Sequence, residues 1–268
     1  SPWGRGRPGW HLECSAMAMS LLGETLDIHA GGVDLMFPHH EDEIAQSEAA
    51  TGKPFAHFWC HGEFLLTDGA KMAKRVGNVS TVADLKSEGV SAAALRHFVF
   101  STHYRKQLNL SGAALEASTE AVRRVGDFAD RLGRERAGNA ALAEAADTLV
   151  VEATAAFGDD LNAPRALGAL FEFINAAHRA LDAKGTDPHA LARARDAFRQ
   201  VDAVLDLVPD RGNDDSELGT WVSGQLAERT AARGRRDFGE ADRIRKVLEE
   251  KGIAIEDSPS GTRWKKVH

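Results

Sequence analysis

Leu26-Asp27-Ile28-His29-Ala30-Gly31-Gly32-Val33-Asp34-Leu35-Met36-Phe37-Pro38-His39-His40-Glu41-Asp42-Glu43 is the stretch that decides the fold. Leu26 to His29 reads as a short buried strand. A glycine pair follows it. Pro38 suits the first turn of a helix, and the pattern from Glu41 to Ala50 continues that helix. Strand, glycine-bearing loop and helix in this order are α/β texture.

Outward from that stretch, Ala16 to Leu22 reads as a helix and Phe64-Leu65-Leu66 as a second short buried strand. Helical signals take over from Val82 to Phe100. Residues 111–208 are rich in Ala and Leu. Leu115, Val122, Val125, Phe128, Ala129 and Leu132 recur near helical spacing, as do Leu167, Leu170, Phe171, Ile174 and Leu181, and then Ala197, Val201, Val204 and Leu205. Propensity agrees with periodicity, so a bundle of about four helices is expected, with turns at Asn139 and Gly185-Thr186-Asp187-Pro188. Pro209 to Asp215 is a polar linker. Beyond it, Trp221–Arg233 and Phe238–Lys251 read as helices. Gly252 fits a C′ glycine, and Ile253–Asp257 with Thr262–Lys266 fit a hairpin. Four segments result: 1–80, a connecting helical stretch 81–110, a bundle 111–210 and a small unit 218–268.

The 268 residues carry a net charge of −7, with 43% hydrophobic and 27% charged residues, a composition that excludes general disorder. No apolar run is long enough for a membrane-spanning helix, and no secretory leader is expected. Two cysteines, Cys14 and Cys60, cannot make a disulfide framework, which points to a cytoplasmic protein with free or metal-bound thiols. The charge is uneven. Residues 111–219 hold 12 Lys and Arg against 20 Asp and Glu, whereas residues 220–268 hold 11 against 8. That asymmetry points to an anionic partner at the C-terminal end.

Three constellations could carry chemistry. His39 and Glu43 are i and i+4 on one helical face. With Cys14 they make a plausible zinc geometry; the alternative is an acidic surface helix beside a buried cysteine. The glycines of His29 to Asp34 let a sugar or phosphate approach the backbone, and an Asp accepts from ribose hydroxyls; the alternative is a plain turn. Gly69-Ala70-Lys71-Met72-Ala73-Lys74-Arg75-Val76-Gly77-Asn78 sets three cations among glycines, enough to neutralise charge developing on a triphosphate; the alternative is a solvated basic turn.

Three segments in order, Pro8-Gly9-Trp10-His11-Leu12-Glu13-Cys14-Ser15-Ala16-Met17, the run from Asp27 to Ser47, and Lys71-Met72-Ala73-Lys74-Arg75, resemble the second half of the catalytic domain of the cysteinyl-tRNA synthetases. Ala241-Asp242-Arg243-Ile244-Arg245 and Gly261-Thr262-Arg263-Trp264 resemble the end of the same family. The resemblance implies the α/β remainder of a Rossmann-type class I catalytic domain, a tRNA-binding helical bundle and a small α+β anticodon-binding unit. It implies ATP-dependent activation of cysteine to cysteinyl-adenylate and transfer to tRNA, with ATP and magnesium as substrate and zinc as cofactor, by a cytoplasmic monomer. Cys14, His39 and Glu43 match three zinc ligands, and Trp10 the wall near the cysteine pocket. Gly32 and Asp34 match the nucleotide-side motif, and Lys71 and Lys74 the two catalytic lysines of the family loop, Lys74 also touching ATP. Arg229, Arg233, Arg235, Arg236, Arg243 and Arg245, with Trp264 as a stacking platform, are expected to face tRNA.

The chain departs from the family at Ala73 and Arg75, where serines are usual, at Ala30, where glycine is usual, and at Cys60-His61-Gly62-Glu63. No His-x-Gly-His occurs in it, so the first half of the nucleotide-binding fold and one zinc cysteine are expected upstream, and the chain is expected to be incomplete for activity. Two other functions fit: a ligase joining cysteine to a small amine, as in mycothiol synthesis, and a non-catalytic tRNA-binding fragment.

Overall fold

The computed structural model describes residues 2, 4–71, 80–208, 217–235, 237–258 and 261–266. They fall into two compact units, Ser1–Val208 and Pro209–His268.

In the first unit, helix α1 (Trp10–Leu22) begins well before Ala16, the expected start, and ends at Gly23, whose φ of +102° suits a residue without a β-carbon. Strand β1 (Leu26–Gly32) includes the glycine pair at its end. A short turn (Val33–Leu35) and a wide turn (Met36–His40) lead into α2 (Glu41–Thr51). The helix therefore opens at Glu41. Pro38 sits in the wide turn, after a residue in extended conformation and a cis bond, and not in a helical first turn.

Strand β2 (Ala56–Gly62) then lies parallel to β1, pairing Leu26 with Ala56, Ile28 with Phe58 and Gly32 with Gly62. Its sequence, Ala-His-Phe-Trp-Cys-His-Gly, sets Ala56, Phe58 and Cys60 against His57 and His61, but Trp59 breaks the polar side of that alternation, and no strand is expected there from sequence. The expectation that β1 is buried holds at Leu26 only. Ile28 and its partner Phe58 are 65% and 69% exposed, since no described element covers that face.

Strand β3 (Leu65–Thr67) pairs antiparallel with β4 (Ala70–Lys71) and parallel with β5 (Leu108–Leu110). It is half-buried, not buried as expected. The helical stretch divides into α3 (Val82–Ser87) and α4 (Ala92–Phe100). Gly89, at φ +86°, turns the chain between them. Leu85, Phe98, Leu110 and Leu115 form the core under β3 and β5.

The bundle comprises α5 (Gly112–Arg134), α6 (Ala140–Gly158), α7 (Ala163–Asp182) and α8 (Pro188–Leu205). Side-chain oxygens of Ser111, Asn139, Asn162 and Asp187 accept from first-turn amides and set the four starts. Val125, Phe128, Leu142, Leu170 and Leu205 fill the centre with no exposure. Val204, expected on the buried stripe, is 57% exposed, because Val201 and Leu205 occupy the inward i and i+4 positions. Arg195 donates to the carbonyls of Leu132, Gly133 and Glu135 and so closes the end of α5. The loop after α4 is tied to the turn between α6 and α7. Tyr104 donates its hydroxyl to Asp160 over 2.6 Å, and Arg105 Nε donates to the same carboxylate over 2.5 Å.

In the second unit, α9 (Glu217–Gly234) and α10 (Phe238–Glu250) precede the hairpin β6 (Ile253–Ser258) and β7 (Gly261–Lys266). Gly252 has φ +69° and donates to the Glu249 carbonyl, as a C′ glycine does. Val222, Ile244, Leu248 and Ile253 form the core, with Trp264 packed against them. Among the described residues, no helix is long and apolar enough to cross a membrane.

Candidate metal and nucleotide site

Polar contacts lock α1 against α2. Gln46 donates to the His11 carbonyl over 2.6 Å, and Ser47 Oγ to Ser15 Oγ over 2.9 Å. This packing brings Cys14, one turn along α1, to the wide turn and the start of α2. Ligand atoms of Cys14, His39 and Glu43 all lie within 4.8 Å of one another, the convergence expected from sequence. His39 and Glu43 meet across the junction between the wide turn and α2, with His39 Nε2 3.8 Å from Glu43 Oε1. Trp10 stacks at a tilt on His39, ring centroids 4.6 Å apart, and is itself 62% exposed.

Glu43 is fully buried, yet neither of its oxygens accepts a hydrogen bond from a described residue. His29 Nε2 lies 3.0 Å from Oε2 but out of line for one. Burial raises the Glu43 carboxyl pKa, against the opposing pull of His39 and His11. Burial, then the Glu43 and Glu13 carboxylates, raise the Cys14 thiol. An orphaned buried carboxylate is costly unless protonated or bound to a cation. With thiolate, imidazole and carboxylate donors converging, the residues fit a zinc ion and leave a position open.

His40, also buried, was not singled out by sequence as a site residue. Its Nδ1 is 2.8 Å from His61 Nε2, and its ring meets those of His29 and Trp59. Burial, then His29, His61 and His39, hold the His40 pKa down at about 4, so the ring is neutral near pH 7. Burial likewise lowers His29. Their spacing in sequence carries no period. Only β1, β2 and the wide turn together make them neighbours. Cys60, on β2 opposite Ala30, belongs to neither ligand group found among the described residues.

On the nucleotide side, a β-carbon on Gly32 would stand 2.5 Å from Asp34 Oδ1. Asp34 is exposed in the short turn after β1. Lys71 ends β4 opposite Leu66, while Lys74, with Ala73 and Arg75, lies outside the described residues. In the second unit, Arg229 is buried at 6% exposure, which corrects the expectation that it faces tRNA; it lies on the inner side of α9. Arg243 pairs with Glu240 and Arg245 with Glu249, as helix neighbours do. Trp264 is half-buried in the core.

Residues 1–120 match the family described as tRNA synthetases class I (C) catalytic domain, and residues 152–208 match the DALR domain. Residues 1–120 are thus similar to the catalytic domain of the class I aminoacyl-tRNA synthetases. Curated proteins to which the chain is similar bear the name cysteine–tRNA ligase. One from Geobacter metallireducens is 43% identical over 99% of this chain and 59% of its own length. Another, from Solibacter usitatus, is 41% identical over 98% of this chain and 57% of its own. The chain thus spans somewhat over half the length of the relatives it matches. The LeuRS of an Agrobacterium radiobacter LeuRS–tRNA–LeuAMS complex shares the fold over 68% of this chain and 25% of its own, with TM-score 0.55 and 19% identity.

Proposed function

We propose that the chain supplies the cysteine-recognising part of a cysteine–tRNA ligase, which activates cysteine with ATP and magnesium to cysteinyl-adenylate and transfers it to tRNA. The observation that carries this reading is the convergence of Cys14, His39 and Glu43 beside Trp10, in a chain whose relatives bear that name. A matched DALR domain and a separate C-terminal unit favour tRNA over a small amine as acceptor. A cytoplasmic monomer is part of the same reading.

Cys14, His39 and Glu43 would hold zinc. Zinc, when bound, supplies a soft Lewis acid that takes a thiolate in preference to a hydroxyl. Trp10 walls the pocket next to His39 and excludes water from the substrate side chain. Discrimination against serine then resides in binding, since a site built for a specific polar group rejects its analogue strongly. Gly32, lacking a β-carbon, leaves room for the Asp34 carboxylate to turn toward the backbone, where it accepts from ribose hydroxyls. Lys71 and Lys74 would offset charge on the phosphates as pyrophosphate leaves.

Two measurements test the reading. In the cobalt-loaded chain, cysteine should intensify the thiolate-to-metal absorption while serine at equal concentration should not; equal responses would refute cysteine recognition. In a chimera joining this chain to the remaining portion of a relative, Lys74→Ala should slow pyrophosphate exchange by ~10²–10³-fold with little change in cysteine binding. An unchanged rate removes Lys74 from the chemistry.

A further inference from the structure

Within the first unit, two side-chain clamps of the same construction join the bundle to the segment that precedes it. Just past the end of α6, Asp160 accepts from the Tyr104 hydroxyl over 2.6 Å and from Arg105 Nε over 2.5 Å, with His103 Nε2 3.8 Å away. At the end of α8, Arg96 Nη1 stands 2.7 Å from the Asp206 carboxylate and donates to the Asp206 carbonyl over 2.5 Å. Arg96 lies on α4, and Arg105 in the loop after it. Both aspartates have a left-handed backbone, with φ +53° at Asp160 and +49° at Asp206.

Glycine adopts that conformation at no steric cost and is the usual residue past a helix end. At these two positions the chain carries a carboxylate that meets an arginine. The side chains of Asp160 and Asp206 are 44% and 68% exposed, and ion pairs so exposed add little to stability. What two of them fix, at separate points of one joint, is an angle. We infer that Asp160 and Asp206 are positioning residues for transfer of the activated amino acid to tRNA, holding the bundle so that the acceptor end of a bound tRNA meets the adenylate. This rests on the cysteine–tRNA ligase reading.

Tyr104 carries the link to the chemistry. Its hydroxyl is bound at the bundle, and its carbonyl accepts from the Glu63 amide over 2.8 Å. Glu63 follows Gly62, which ends β2 and pairs with Gly32 at the end of β1. The carboxyl ends of parallel strands are where open α/β sheets take their ligands. One residue therefore touches both the turn after α6 and the nucleotide end of the sheet. Its ring stacks on His103, and the Arg105 guanidinium lies 5.1 Å from the ring centroid, which stiffens the span. At the other clamp, His97, next to Arg96, meets Phe171 of α7 edge-on, ring centroids 6.0 Å apart. Rotation about one clamp is opposed by the other.

The test uses the chimera of this chain with the remaining portion of a relative, at a temperature where circular dichroism shows every variant folded. Asp160→Asn and Asp206→Asn keep the left-handed turns, which asparagine tolerates, and remove the charges. In the double variant, single-turnover transfer from preformed cysteinyl-adenylate to tRNA should slow by about 10-fold or more, since a misplacement of ~1 Å costs as much as ~10²-fold. Pyrophosphate exchange should keep its native rate, because activation precedes any contact with tRNA. Each single variant should slow transfer less than the pair does. Arg96→Gln combined with Arg105→Gln opens the same clamps from the other side and serves if the aspartate variants do not fold. Unchanged transfer, or transfer and exchange falling in the same proportion, overturns the inference and leaves the activation reading standing. A native chimera that exchanges no pyrophosphate overturns that reading, and the inference with it.

Discussion

A β-carbon placed on Gly31 would stand 2.7 Å from Cε1 of the His40 ring. From sequence, the glycines at the end of β1 read as room for a ligand. At Gly31 the room is taken by the protein's own buried histidine. His40 is 3% exposed and bounded by the rings of His29, Trp59 and His61, so it has nowhere to shift. Gly31→Ala should cost about 1–3 kcal/mol, the usual range for overpacking a filled site. Urea unfolding checks it: a midpoint unchanged from native would show that the ring moves freely. Ala30→Gly, on an exposed neighbour, is the matched control and should cost only the weaker strand propensity.

Zinc affinity at the Cys14 site should rise with pH. Burial and the Glu43 carboxylate raise the Cys14 thiol above its ordinary 9.0, so the thiol is protonated at neutral pH and each ion bound must displace a proton. One displaced proton gives about a tenfold gain per pH unit. Competition with a zinc indicator between about pH 6 and 8 measures the slope. Cys14→Ser should flatten it. A native chain with a flat profile would mean that the thiol is not a ligand.

The Asp160 clip should report in acid. Arg105 and Tyr104 hydrogen-bond the carboxylate and hold its pKa at about 2, below the ordinary 3.8. A depressed carboxylate pKa contributes stability that is full above the unfolded value and disappears as pH falls through the folded one. The unfolding midpoints of the native chain and Asp160→Asn should therefore differ above about pH 4 and converge toward pH 2. A difference that persists undiminished at the lowest pH would assign the effect to shape and not to charge.

Arg195 gathers three carbonyls at the end of α5, groups that would otherwise be left without partners. Arg195→Ala should destabilise the bundle by about 1.5–3 kcal/mol, the range for hydrogen bonds to a charged group. Arg195→Lys should recover only part of this, because an ammonium lacks the planar fork. Full recovery with lysine would show that charge alone closes the helix.

Trp264 pairs with Ile255 across the hairpin and packs on Val222, Ile244, Leu248 and Ile253. Trp264→Ala should lower the unfolding midpoint of the C-terminal unit. If tRNA affinity fell while that midpoint stayed native, Trp264 would be a stacking platform after all.

The sequence by itself determined the helices of the bundle, because Leu115 to Leu132 and Leu167 to Leu181 repeat at helical spacing and no tertiary contact is needed to read a period. It also named the trio that the structure brings together, since Cys14, His39 and Glu43 are chemically distinctive and fall within a recognisable family pattern. The strand at 56–62 was beyond its reach. Trp59 breaks the alternation of Ala56, Phe58 and Cys60 with His57 and His61, and pairing with Leu26–Gly32 is what makes the segment a strand. The same pairing decided the surroundings of the site. His29, His40 and His61 are scattered along 33 residues, and the meeting of the first two at Glu43, with His61 against His40, depends on two strands, a wide turn and a helix packing at once. Burial was a tertiary decision too. Ile28 and Val204 look like core residues, but which side of a strand or helix another element covers is settled by packing between segments, and the local pattern does not encode it.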